Sequence, residues 1–172
     1  MEERVALIAL QRLKGIGPLI KKETALRYDL LGPVFEGKIK LPDKAAENRI
    51  RSFDGWKDID RDLTKLEKMG AHVLTLRDAA YPPLLREIPD APIVIYKKGT
   101  LPIGANTIAI VGSRKATFEG LNLAEKAGQT LSSLGITVVS GLARGIDGAG
   151  HKAAHSEKGN TVAELGSGLQ VV

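Results

Sequence analysis

Two short glycine-containing runs carry the groups best suited to chemistry in this chain. The first is Val111-Gly112-Ser113-Arg114-Lys115 and the second is Ser140-Gly141-Leu142-Ala143-Arg144-Gly145. Small residues in each run let a ligand approach the main chain closely. Each run precedes a stretch with helical patterning, and the first N–H groups of a helix have no partner within the helix and favour an anion. Arg114 adds a planar guanidinium fork suited to phosphate oxygens. Lys115 and Arg144 are cations that either track a phosphate chain or stay solvated. One such run is as readily a tight strand-to-helix turn. Two from neighbouring strands, with an arginine beside one, favour a phosphate pocket.

Other constellations point away from familiar chemistry. After the first strand of this region comes Gly112-Ser113-Arg114-Lys115-Ala116-Thr117, with one glycine where a dinucleotide fingerprint has three. A G-x-x-x-x-G-K-[ST] run is absent as well, so a dehydrogenase or an NTPase has little support. His151 and His155 lie four apart on an expected helix, but no glutamate follows the first and the chain has no cysteine, so no metal site is expected. Asp147 falls near a helix start, where a carboxylate is electrostatically favourable, and reads as structural rather than catalytic. No catalytic residue and no cofactor are expected. Near the N-terminus, Leu13-Lys14-Gly15-Ile16-Gly17-Pro18 resembles a helix-hairpin-helix turn. Its glycines expose N–H groups to a phosphate, and Lys14, Lys21 and Lys22 add charge. Lys14, Gly15, Gly17, Lys21 and Lys22 are therefore a secondary candidate contact. Trp56 is a lone tryptophan in a charged stretch and is expected to pack between two structural units.

Composition sets the frame for these residues. The 172 residues include 25 Lys+Arg against 20 Asp+Glu, a formal charge of +5, which permits a polyanionic partner without requiring one. The absence of cysteine excludes a disulfide framework and a thiolate nucleophile. Aromatic residues are 4%, which argues against a broad base-stacking platform. No apolar run approaches the ~20 residues needed to span a bilayer. Met1-Glu2-Glu3-Arg4 lacks the apolar core of a signal peptide, so a cytoplasmic protein with no membrane partner is expected. Of the 19 glycines, 12 lie at or after Gly104, which divides the chain by composition.

The elements that must position the loops follow from periodicity. Val5, Leu7, Ile8, Leu10 and Leu13 mark a first helix, stopped by Gly15-Ile16-Gly17. Pro18 suits the first turn of a second helix, expected to run from about Leu19 to Leu31. A third fits Asp43 to Phe53 with Asp43 as N-cap, and a fourth fits Asp58 to Met69. Strands are expected over 71–76, 93–96, 107–111, 136–139 and 161–165, with a turn over 78–83. Helices are expected from Leu121 to Leu134 and from Gly145 to Glu157. The stretch 107–165 is then a βαβαβ unit, which builds a parallel sheet. The 107–111 run is apolar almost throughout, as in a strand covered on both faces. The fold class is α/β. A small helical domain over 1–56, helix-hairpin-helix or SAM-like, is followed by a Rossmann-like parallel sheet over 57–172.

These residues resemble a family. Val111-Gly112-Ser113-Arg114, Ser140-Gly141-Leu142-Ala143-Arg144-Gly145-Ile146-Asp147, Ala153-Ala154-His155 and Thr161-Val162-Ala163 with Leu165-Gly166-Ser167-Gly168-Leu169 look like the DNA processing protein A (DprA/Smf) family. Tyr81-Pro82-Pro83-Leu84-Leu85, Asp90-Ala91-Pro92 and Gly99 are similar too. The resemblance is close over about residues 70–172 and loose over the N-terminal helices. It implies a non-enzymatic protein that binds single-stranded DNA, protects it during natural transformation and helps load the RecA recombinase, with a homodimer in the full-length protein. On this resemblance Arg114 pairs a phosphate, and N–H groups around Gly112, Ser113, Gly141 and Ala143 donate to its oxygens. The Ser140 hydroxyl adds a further donor, and Gly145 keeps the helix start uncrowded. A nucleotide-binding enzyme of the lysine-decarboxylase-like phosphoribohydrolase type is the alternative, although its Pro-Gly-Gly-x-Gly-Thr-x-x-Glu motif is absent. A protein-interaction module built on the N-terminal hairpin is a third reading. Two positions depart from the family pattern. Glu164 stands in an expected buried strand, where an unpaired carboxylate is costly, and Gln170 stands where the family commonly has Asp. The sequence ends at Val171-Val172, just after the third parallel strand, so the sheet is expected to be incomplete at its C-terminus.

Overall fold

Helix α1, Glu3–Arg12, carries an almost unbroken apolar run and buries Ala6 to Leu10. A helix covered on most of its surface sits at the centre of its unit, and the other N-terminal elements gather round it. The computed structural model describes residues 2–100 and 106–169. Helix α2, Pro18–Arg27, starts with proline in its first turn, as expected, but stops short of Leu31. Leu31 instead leads into a single turn, α3, Gly32–Phe35. Pro33 lies in the first turn of α3, a position where proline favours a helix start.

Helix α4, Lys44–Arg51, is capped by Asp43, whose carboxylate accepts from the N–H groups of Ala45 at 2.8 Å and Ala46 at 3.2 Å. Asp43→Ala is expected to destabilise this unit by about 1 kcal/mol, read as a lower midpoint in thermal unfolding. Helix α5, Trp56–Lys68, follows, and Arg12 ties α1 to it through Asp62 at 2.9 Å. Trp56 does not bridge two units. It meets Phe35 and Phe53 edge-on, with ring centroids 5.1 and 4.8 Å away, inside the N-terminal unit. Edge-to-face rings gain stabilisation beyond the area they bury.

Strand β1, Ala71–Thr75, pairs antiparallel with β2, Val94–Lys98, in the register Val73 to Tyr96. The connection contains a short helix, α6, Pro83–Glu87, where only a turn was expected. Tyr81 just before it is fully buried, and its hydroxyl donates to the Pro92 carbonyl at 2.7 Å. The two strands pair with each other and pack on α5 and α1 instead of joining the parallel sheet. The chain divides into two compact units, 1–99 and 100–172, close to the shift in glycine content near Gly104.

In the second unit β3, Thr107–Ala109, β4, Thr137–Ser140, and β5, Thr161–Ala163, form a parallel sheet in the order β3-β4-β5. Helix α7, Phe118–Ser133, joins the first two strands and α8, Ile146–Ser156, joins the last two. The central strand is the most buried, with Thr137 and Val138 fully covered. The helices cross closely enough that a Cβ on Gly128 would lie 2.6 Å from the Gly150 carbonyl oxygen. Strand β3 departs from expectation. All three residues are exposed, and Val111 just beyond it is 72% exposed. A short apolar run does not distinguish a covered strand from an uncovered edge. Strand β5 ends at Ala163, so Glu164 is exposed rather than buried, and its N–H donates to the Ser140 carbonyl at 2.9 Å. Gln170, Val171 and Val172 lie outside the described residues. Among the described residues no helix is long and apolar enough to cross a membrane.

Candidate functional site

Because β3 and β4 are adjacent and parallel, the runs that leave their carboxyl ends lie side by side. The start of α8 stitches them together. The Ile146 N–H donates to the Ser113 carbonyl at 3.2 Å, and the Gly112 N–H donates to Asp147 Oδ1 at 3.2 Å. The Ile146 side chain lies so close to Gly112 that a Cβ there would be 2.7 Å from Ile146 Cγ1. Gly145 sits at φ +86°, ψ −131°, with its Cα facing the Ser113 carbonyl oxygen. Only glycine combines that backbone with that proximity. The second run folds onto the helix through the Gly148 N–H, which donates to the Ala143 carbonyl at 2.9 Å.

The result is a surface of unanswered donors. Among the described residues, the backbone N–H groups of Ser113, Arg114, Gly141, Leu142, Ala143 and Arg144 meet no acceptor from the chain. Leu142 adopts a left-handed backbone, φ +54°, which is uncommon for a residue with a side chain. A left-handed residue within a run of free N–H groups lets successive donors converge on an anion. Nothing in the sequence marks leucine for that conformation. Around these donors Arg114, Lys115 and Arg144 are exposed, and among the described residues their side chains make no ion pair or hydrogen bond. Phe118, 73% exposed, opens α7 shortly after the first run.

Two expected donors have other partners. Ser140 is buried and its hydroxyl donates to the Ile110 carbonyl, so its one hydrogen joins β4 to the end of β3. The Gly112 N–H is held by Asp147, a buried carboxylate that touches both runs. Ser113 Oγ accepts from the Lys115 N–H at 3.1 Å, which shapes the first run internally. His151 is buried and its Nδ1 pairs with the Thr161 hydroxyl, fastening α8 to β5.

The N-terminal hairpin brings together a different set. Gly15, at φ +76°, lies under the Arg49 guanidinium, with Nη1 2.6 Å from where a Cβ would be. Gly17 faces open space at the start of α2, and Lys14 is exposed. Lys21 and Lys22 serve the fold in this structure. Lys21 Nζ donates to the Gln11 carbonyl at 2.7 Å, and burial pulls its ammonium below the ordinary lysine value. Lys22 Nζ donates to the carbonyls of Arg86 and Ile88 at 2.8 and 2.7 Å. Arg49 is the residue that sequence reasoning missed, because only the packing of α4 brings it to the hairpin.

Similarity to known proteins follows the same residues. A family model described as DNA recombination-mediator protein A matches residues 72–172. The chain is 32% identical over 182 residues to protein Smf of Synechocystis, an alignment covering 99% of this chain and 46% of that protein. It is 42% identical over 98 residues to the DNA processing protein DprA of Streptococcus pneumoniae, covering 56% of this chain and 34% of that protein. The X-ray structure of DprA from Streptococcus pneumoniae aligns with a TM-score of 0.71 at 30% identity, covering 100% of this chain and 61% of that one. The chain thus spans about half the length or less of these curated relatives.

Proposed function

Because the chain belongs to the DNA recombination-mediator protein A (DprA/Smf) family, we propose that its two glycine runs bind the phosphates of single-stranded DNA. The observation that carries this reading is the run of unanswered N–H groups at the ends of β3 and β4, ringed by Arg114, Lys115 and Arg144. Donors aimed at phosphates fix position without reading bases, so binding is indifferent to sequence. Phe118 offers an exposed ring face on which a base can stack, which a single strand provides and a closed duplex does not. In this reading the protein is not an enzyme. It shields incoming strands in DNA processing and transformation and hands them to a RecA-type recombinase, and the full-length protein acts as a homodimer. The N-terminal helices act as a helix-hairpin-helix-like unit, in which Lys14, Gly15, Gly17 and Arg49 offer a secondary contact.

Arg114→Ala tests the site. Affinity for oligonucleotides of every sequence is expected to fall about tenfold in fluorescence anisotropy, and the slope of log K against log salt to become shallower by about 0.7. Unchanged affinity and slope across all sequences would remove the two runs from the interface.

A further inference from the structure

Asp147 is an anion built into the floor of a site for anions. It is 7% exposed, Oδ1 holds the Gly112 N–H, and Oδ2 lies 3.0 Å from where a Cβ of Gly141 would be. Its carboxylate therefore touches both runs that present the free donors. Helix-start electrostatics explains why a carboxylate is tolerated there. It does not explain a carboxylate placed between two phosphate-binding runs, where its charge opposes the ligand.

Phosphates differ in the charge they bring. An internal phosphodiester carries one negative charge, while a terminal monoester carries about 1.5 to 2 at neutral pH. Arg114, Lys115 and Arg144 attract both, and the exposed Glu164 beside the second run is screened by water. The buried carboxylate is screened less and repels the second charge more strongly. We propose that Asp147 makes the site selective for the singly charged internal phosphates of a strand over the doubly charged phosphates of strand ends, free nucleotides and inorganic phosphate. This inference rests on the phosphate-binding reading of the two runs and names which phosphates they take. For a repulsion acting across a few ångströms at intermediate dielectric, discrimination on the order of tenfold is expected.

The test is competition against a labelled thymidine oligonucleotide without terminal phosphates, using the full chain. The competitors are the dinucleoside monophosphate dTpdT, which has one diester, and thymidine 5′-monophosphate, which has one monoester. For the unaltered protein, dTpdT is expected to compete about tenfold better. Equal or better competition by the monophosphate overturns the inference without any variant. Asp147→Asn keeps an oxygen for the Gly112 N–H and removes the charge. It is expected to improve the monophosphate about tenfold and dTpdT by a few-fold at most, which narrows the gap. A preserved gap in a folded Asp147→Asn protein overturns the inference. If Arg114→Ala leaves oligonucleotide binding intact, the phosphate-binding reading itself fails. If Arg114 matters while the gap persists in Asp147→Asn, only the charge selectivity fails.

Discussion

Gly145→Ala is expected to weaken binding of single-stranded oligonucleotides by on the order of 100-fold, more than the loss of any single cation at the site. Two effects add. The backbone at φ +86°, ψ −131° is strained for any residue with a Cβ. The new methyl would also collide with the Ser113 carbonyl oxygen. Relief requires the first run to move away from α8. That movement breaks the Ile146-to-Ser113 hydrogen bond and pulls Gly112 from Asp147. The two donor runs then no longer face one ligand, so the loss is one of geometry rather than of charge. Anisotropy at fixed salt measures it, and the salt slope separates it from Arg114→Ala, since all three cations remain. Binding within threefold of the unaltered protein, with the fold intact by circular dichroism, would show that the joint between the runs is not needed.

The contrast between Asp43 and Ser140 shows what a sequence can carry. Asp43 and Pro18 were legible because each acts within its own helical turn. Gly145 drew its role from the family resemblance, since the Ser113 carbonyl that demands a glycine there is brought near only by the fold. The acceptor of the Ser140 hydroxyl, the Ile110 carbonyl, lies 30 residues away and is brought near by strand pairing, which no local pattern shows. Arg49 over Gly15 and Lys22 on the carbonyls of Arg86 and Ile88 are likewise products of tertiary packing. Single-turn helices such as α3 and α6 have too few residues to show a period. The exposure of β3 was hidden for another reason. Composition reports that a strand is apolar, while what covers it depends on neighbours elsewhere in the chain.

Arg77→Ala is expected to destabilise the N-terminal unit by about 2–4 kcal/mol. Its guanidinium donates to Glu3 Oε1 at 2.8 Å and to the Ala25 carbonyl at 2.6 Å, and it also reaches the carbonyls of Tyr28 and Asp29. Those carbonyls end α2, so Arg77 answers acceptors that the helix leaves open. Glu3 turns its other oxygen to the Leu31 N–H at 2.9 Å. One arginine thus joins the start of α1, the end of α2 and the residues after β1. Removing it leaves half-buried carbonyls and a carboxylate oxygen without their donor, which is worse than never having built the cluster. Lysine is expected to recover less than half of the loss, because a point-like ammonium cannot serve divergent acceptors as a planar fork does. Trp56 is the only tryptophan in the chain and sits in this unit's aromatic cluster, so its fluorescence reports the transition. At roughly 4–8 °C per kcal/mol for a unit of this size, its midpoint is expected to fall by about 8–32 °C. A fall below about 3 °C would mean that water replaces the guanidinium at little cost.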